Sequence, residues 1–97
     1  MILISKEADK IIIKGHANYS DSNDIVCASV SSIMYTSVNA ILRFNETAIK
    51  YNDNGSVVEI SNISKDDTTQ TLIINMMALF QELSSKYPKN IKIESEE

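Results

Sequence analysis

The sequence predicts an α+β domain in which two helices pack on a mostly antiparallel sheet, in the order ββαββαβ. Three observations lead to this prediction. Short apolar runs with alternating polar residues recur along the chain, as in strands that bury one face. Two longer stretches repeat apolar residues at the helical period. Short polar segments join successive strands, which is typical of antiparallel hairpins. With 97 residues, the chain is expected to form one domain over 1–97.

The first half contains two strands and a long helix. Strands are predicted over residues 1–5 and 10–14, with a polar turn between them. A helix is predicted from about residue 24 to 44, because no glycine or proline interrupts this segment, and Asp24 or Asn23 is its expected N-cap. The apolar stripe of this helix is Val26, Val30, Ile33, Met34, Val38, Ile41 and Phe44.

The second half repeats the pattern. Strands are predicted around 49–51 and 58–60, and Asp53-Asn54-Gly55 between them is a hairpin signal because Asn and Gly accept positive φ. A second helix should start near 66–68 and end before Pro88, and a last strand should follow around 91–93. The predicted stripe of the second helix is Leu72, Met76, Leu79, Phe80, Leu83 and Tyr87.

The composition excludes several classes of protein. Apolar residues make up 43% of the chain, with two glycines and one proline, so collagen-like, low-complexity and disordered classes are excluded. No apolar run is expected to approach the ~20 residues of a membrane helix, and the short N-terminal MILI meets Lys6 at once, unlike a signal peptide. The lone Cys27 has no disulfide partner within the chain, which fits a reducing compartment. We therefore expect a cytoplasmic protein with no membrane partner.

The charge pattern bears on the partner. The formal charge is −4, from thirteen acidic residues against nine basic ones, of which only Arg43 is arginine. Phosphate binding requires clustered Lys and Arg, and the sequence has no such cluster. We therefore expect no direct nucleic-acid contact, whereas a basic protein or peptide would be attracted.

Histidine and cysteine occur once each, at positions that suggest chemistry. His16 follows a predicted strand and Cys27 lies in the first turn of the next helix, so a short loop should bring them close. A helix start and a nearby imidazolium both favour a thiolate. Acyl transfer could then use Cys27 as nucleophile, His16 as base and first-turn N–H groups for the oxyanion. If Asp24 caps the helix through the Cys27 N–H, however, that donor is engaged and the cap's charge opposes the thiolate.

Structural interpretations compete with this one. A lone cysteine is usually a small buried hydrophobe, and a mid-helix serine such as Ser31, one turn beyond Cys27, usually bonds a helix carbonyl. One histidine, one cysteine and scattered carboxylates lack the spacing of a metal site, so no metal is predicted. Two hypotheses remain open: a cysteine hydrolase, and a non-catalytic module that binds a basic protein.

The local sequence around these residues favours the hydrolase. Gly15-His16-Ala17, followed by the DIVCA segment at 24–28, closely resembles the signature of the bacterial ribosomal-processing cysteine protease (Prp) family. Ser31 matches a serine of that signature. The SVNAI segment at 37–41 and the hairpin at 51–55 also look like family sequence, so the resemblance covers essentially the whole chain.

The resemblance implies a Cys–His endopeptidase with His16 as catalytic histidine and Cys27 as nucleophile. It implies removal of the N-terminal extension of large-subunit ribosomal protein twenty-seven, at a motif with a large apolar residue at the scissile bond. It further implies a cytoplasmic homodimer that needs no cofactor. Asp21 and Asp24 are candidates to orient His16, and Asp24 and Ser31 are the supporting site candidates. Unlike many family members, this chain has no glycine between His16 and Asp24.

Overall fold

The predicted order of strands and helices is confirmed. The computed structural model describes residues 1–15 and 24–95. Within these residues the chain forms β1 (Ile2–Lys6), β2 (Ile11–Gly15), α1 (Ile25–Phe44), β3 (Lys50–Asp53), β4 (Val57–Ser61), α2 (Asp67–Lys86) and β5 (Ile91–Ser95). The predicted bounds differ from these by one or two residues.

The sheet is mixed, but mostly antiparallel as predicted. Its strand order is β3-β4-β2-β1-β5. The pairs β1–β2, β2–β4 and β3–β4 are antiparallel, whereas β5 runs parallel to β1 at one edge. Because β4 and β5 point the same way, their connection must cross the sheet, and α2 provides that crossover. The β3 and β5 strands form the edges of the described sheet.

One face of the sheet carries the core. The strand register places Ile4 opposite Ile13 and Ile11 opposite Ile60 on this face. Alternate residues of a strand share a face, so this pairing puts the buried isoleucines together under the two helices. Helix α1 contributes its predicted side, with one difference: Phe44 is 51% exposed, and the buried stripe ends at Ile41.

The predicted stripe of α2 is partly wrong. Met76 and Phe80 are buried as expected, but Thr69 and Ile73 complete the buried side, and Leu79 is 38% exposed. Leu79 instead lines a shallow groove with Ile33 of α1. The reason is that α2 packs against α1 as well as against β5. Its apolar residues therefore extend around a wider arc than the side that is fully covered.

Helix α1 corrects one expectation from the sequence. Its 20 residues have a mean hydropathy of 1.6 and make it, among the described residues, a helix long and apolar enough to cross a membrane by length and composition. The expectation that no run approached this length was wrong, because small and uncharged polar residues sit between the apolar ones. In this fold one side of α1 packs into the core, since its own residues on that side are buried. They are Val26, Val30, Met34, Val38 and Ile41.

Helix α2 begins where the sequence predicted, at the N-cap Asp66. The Asp66 carboxylate accepts hydrogen bonds from the Ser64 hydroxyl (2.6 Å), the Thr69 N–H (2.9 Å) and the Thr69 hydroxyl (2.8 Å). The bond from Ser64, followed by the bonds from Thr69, lowers the pKa of the Asp66 carboxyl. These bonds join the loop before α2 to the first turn of the helix.

We expect Asp66→Ala to lower the free energy of unfolding at neutral pH. In acid, the variant and the unmodified chain should unfold with nearly the same free energy. A carboxyl with a depressed pKa stabilises the fold above its unfolded pKa, near 3.9 for Asp, and loses that contribution as pH falls through the lower folded value. Urea unfolding at neutral and acid pH measures the difference. Asp67→Ala, which removes an exposed carboxylate from the same helix start, is the control. An equal loss at both pH values would contradict the prediction.

Candidate active site

Cys27 is the third residue of α1, three positions after the N-cap Asp24. The Asp24 Oδ1 atom accepts hydrogen bonds from the backbone N–H groups of Val26 and Cys27, each at 3.0 Å. An aspartate at this position satisfies N–H groups that have no partner within the helix. The sequence predicted either Asp24 or Asn23 as the cap, and the structure selects Asp24. The capping bond anticipated from the sequence therefore exists, and it engages the Cys27 N–H.

The Cys27 side chain is half-buried. It packs against the core and also lines a cavity of about 390 Å³. Ser31 and Tyr35 follow at intervals of one helical turn and line the same cavity. This row of three side chains forms the α1 wall, so Cys27 is packed on one side and faces a cavity on the other.

The rest of the cavity lining comes from the buried side of α1, from the sheet and from the β3–β4 hairpin. The apolar part of this lining forms the floor of the cavity, and the hairpin adds polar groups. Such a cavity can bury an apolar side chain and still present hydrogen-bonding groups at its mouth. The floor consists of Ile2, Ile13, Val30, Met34 and Val58, and the hairpin contributes Asp53, Gly55 and Ser56.

Gly15 ends β2 at the rim of this cavity, directly before His16. Its φ of +92° lies in the range that favours glycine, and a Cβ at this position would fall on the Met1 carbonyl oxygen. The glycine of the Gly15-His16-Ala17 segment is therefore required by backbone geometry. It allows the chain to leave β2 at the cavity that Cys27 lines.

The structure brings together some of the predicted site residues and does not describe others. Cys27 and Ser31 line one cavity, and Asp24 caps the helix that carries them. His16 and Asp21 lie outside the described residues. Within 1–15 and 24–95, no three His, Cys, Asp or Glu side chains are grouped so that they could hold a metal ion.

The hairpin turn differs slightly from its prediction. The connection comprises residues 54–56, and only Gly55 among them has a positive φ, of 90°. The Asn54 side chain acts instead as an acceptor for the N–H groups of Ser56 and Val57. The Asp53 Oδ1 atom accepts from the Gly55 N–H at 2.9 Å. Side-chain acceptors thus fix the shape of the turn that faces α1.

Sequence reasoning missed a cluster of polar groups at the cavity. The hydroxyls of Tyr35 and Tyr51 both point to Asp53 Oδ2, at 3.3 and 3.4 Å. Burial, together with the nearby Tyr35 and Asp53, raises the pKa of Tyr51 to about 12, so its hydroxyl stays protonated at neutral pH. One signal was available in the sequence. Tyr35 lies eight residues after Cys27, on the same side of α1 as Ser31.

Known proteins that are similar to this chain in sequence and fold include cysteine proteases. The family model described as Cysteine protease Prp matches residues 2–92. The ribosomal processing cysteine protease Prp of Staphylococcus aureus is 32% identical over 87 residues, which are 86% of this chain and 82% of that protein.

Two crystal structures are similar over nearly the whole chain. One is of an essential ribosomal processing protease Prp from S. aureus with a covalently linked product peptide, with 27% identity, a TM-score of 0.83 and coverage of 99% and 100% of the two chains. The other is of the S. aureus protease with a substrate peptide, with 25% identity, a TM-score of 0.80 and coverage of 98% and 97%. These similarities favour the cysteine endopeptidase over the non-catalytic binding module. The chain belongs to the cysteine protease Prp family.

Proposed function

We propose that this protein removes an N-terminal extension from large-subunit ribosomal protein twenty-seven, with Cys27 as nucleophile and His16 as base. The observation that carries the proposal is the position of Cys27, half-buried at the start of α1 on the wall of an apolar-floored cavity. The names of the S. aureus relatives, which describe ribosomal processing and bound peptides, support the choice of substrate.

The reaction follows from the chemistry of a thiol and an imidazole. His16 takes the thiol proton, and the Cys27 sulfur attacks the carbonyl carbon of the scissile bond. The tetrahedral intermediate collapses, the C–N bond breaks, and the leaving amine receives the proton from His16. A water molecule, deprotonated by His16, then hydrolyses the thioester and releases the new carboxyl terminus. A large apolar side chain beside the scissile bond would fill the cavity floor.

Asp24 and Ser31 have supporting roles in this proposal. The Asp24 carboxylate accepts a hydrogen bond from the Cys27 N–H, and this bond must be released before that donor can bind an oxyanion. The exposed Ser31 hydroxyl, one turn from Cys27 on the cavity wall, is positioned to bond the substrate. Asp21 remains a candidate to orient His16.

Peptide cleavage tests the proposed function. The substrate is a peptide that spans the extension and the start of the mature ribosomal protein of the same organism. The control peptide carries serine in place of the large apolar residue at the scissile bond. Mass spectrometry should detect one cut in the first peptide and none in the second, and His16→Ala should lose most of the turnover. Failure of the native chain to cut the first peptide would overturn the proposal.

Alkylation provides a test that needs no substrate. Iodoacetamide should label Cys27 in the folded protein at neutral pH, because the side chain faces a cavity. Labelling only after unfolding in urea would show a sulfur that substrate cannot reach, and would contradict its role as nucleophile.

We further propose that the protein is cytoplasmic and acts as a homodimer. The two edge strands β3 and β5 leave backbone groups for pairing. Residues 25–42 of α1 carry no charged side chain, although Ile25 and Tyr35 of this helix are 52% and 47% exposed. Uncharged surface of this kind is commonly covered by a second copy.

We expect light scattering to give the mass of a dimer at micromolar concentration. Replacement of the exposed Ile25 by lysine should shift the mass toward the monomer, if α1 lies in the interface. The matched control is Ile74→Lys on α2, where the side chain is 64% exposed. A monomer mass for the unmodified chain would contradict the prediction.

A further inference from the structure

We propose that Tyr35 and Asp53 form a second substrate-recognition site in the cavity, remote from Cys27, where an N–H donor of the substrate binds. This inference rests on the proposed protease function and concerns the same cavity. Cys27 and Tyr35 both line it, eight residues apart on α1. At 1.5 Å per residue, their separation along the helix is about 12 Å. An extended peptide rises about 3.3 Å per residue, so the pair would meet the substrate about three to four residues from the scissile bond.

The hydrogen bonds of Asp53 show why it can accept a substrate group. Its Oδ1 atom is committed to the Gly55 N–H at 2.9 Å, which shapes the turn. Among residues 1–15 and 24–95, its Oδ2 atom is approached by two tyrosine hydroxyls, at 3.3 and 3.4 Å, both longer than the 2.5–3.0 Å of a well-formed O–H···O bond. A carboxylate oxygen with two long contacts retains acceptor capacity. Because Asp53 is exposed and lines the cavity, an incoming N–H can reach it.

The hydrogen bond between Tyr35 and Asp53 also joins two walls of the cavity. Tyr35 is on the helix that carries Cys27, whereas Asp53 is on the hairpin that forms another wall of the cavity. Tyr51 does not line the cavity, but its hydroxyl approaches the same Asp53 oxygen from the sheet. The carboxylate therefore lies where the hairpin meets α1, on the lining of the cavity. A substrate long enough to reach it would contact both walls at once.

A length series of peptides tests the inference. Peptides are shortened one residue at a time from either end, and KM and kcat are measured for the native chain, Asp53→Asn and Tyr35→Phe. Both variants keep the side-chain shape, and Asn can still accept from the Gly55 N–H. For peptides that reach the site, we expect Asp53→Asn to raise KM about tenfold, with a smaller rise for Tyr35→Phe and little change in kcat. Truncation from one of the two ends should abolish the rise in KM. This should happen once fewer than about four residues remain between the scissile bond and that end.

Two further changes to the peptide identify the N–H donor that binds Asp53. N-methylation of the peptide backbone at the contacting position should raise KM if the donor is a main-chain amide. Alanine at that position should raise it if the donor is a side chain. Asp9→Asn removes an exposed carboxylate from the β1–β2 turn and should leave KM unchanged. If the variants raised KM equally for peptides of every length, or lowered only kcat, the inference would be wrong while the proposed protease remained. Absence of cleavage by the native chain would overturn both.

Discussion

Replacement of Cys27 by alanine is expected to abolish peptide cleavage and to leave the fold intact. Cys27 is the only cysteine, and no other side chain in the chain can form the thioester. Loss of a nucleophile typically lowers kcat by a factor of about 10⁴ or more. The fold should survive because alanine is a good helix former and the thiol is only half-buried at the edge of the core.

The measurement combines turnover with stability. Cleavage of the ribosomal peptide gives kcat, and urea unfolding gives the free energy of unfolding of the same preparation. Ser32→Ala is a matched control, because Ser32 is an exposed residue of the same helix that does not line the cavity. It should keep native turnover. Normal turnover in purified Cys27→Ala would refute the assignment of the nucleophile.

The element order could be predicted because its signals are local. Asp24 and Asp66 begin the helices as caps, and Pro88 follows the end of α2 at Lys86. The buried side of α1 also followed from its spacing, because its buried apolar residues recur at the helical period. The exposure of Leu79 and the parallel placement of β5 could not be predicted in the same way. Both depend on how α2 crosses the sheet and contacts α1, which is a tertiary property.

The features of the site also differ in whether they depend on local sequence or on tertiary structure. Cys27 and its capping by Asp24 could be predicted because they lie three residues apart at a helix start. The association of Tyr35 with Asp53 could not, because those residues are 18 positions apart and meet only when the hairpin folds back over α1. The membrane expectation failed for a related reason. Counting only strongly apolar residues overlooked the uncharged serine and threonine positions that make α1 hydrophobic as a whole.

Gly15→Ala is expected to lower both stability and activity, and a second glycine in the chain provides its control. Gly15 and Gly55 have nearly the same φ, +92° and +90°, so alanine is strained at both positions. A Cβ at Gly55 would have no atom within 4 Å, whereas at Gly15 it would fall on the Met1 carbonyl oxygen. Gly55→Ala should therefore lower the free energy of unfolding only by the strain of a positive φ, about 1–2 kcal/mol. Gly15→Ala should add an overpacking cost of about 1–3 kcal/mol.

The excess cost at Gly15 has a functional consequence. Relief of the clash requires the end of β2 to move away from Met1, and Gly15 lies at the cavity rim immediately before His16. The proposed base would then move relative to Cys27, and a displacement of about 1 Å can lower turnover about 100-fold. Urea unfolding of both variants and peptide cleavage by Gly15→Ala measure the two effects. An equal free-energy loss at Gly15 and Gly55 would show that contact with Met1 does not constrain the strand end, and native turnover would show that His16 does not depend on it.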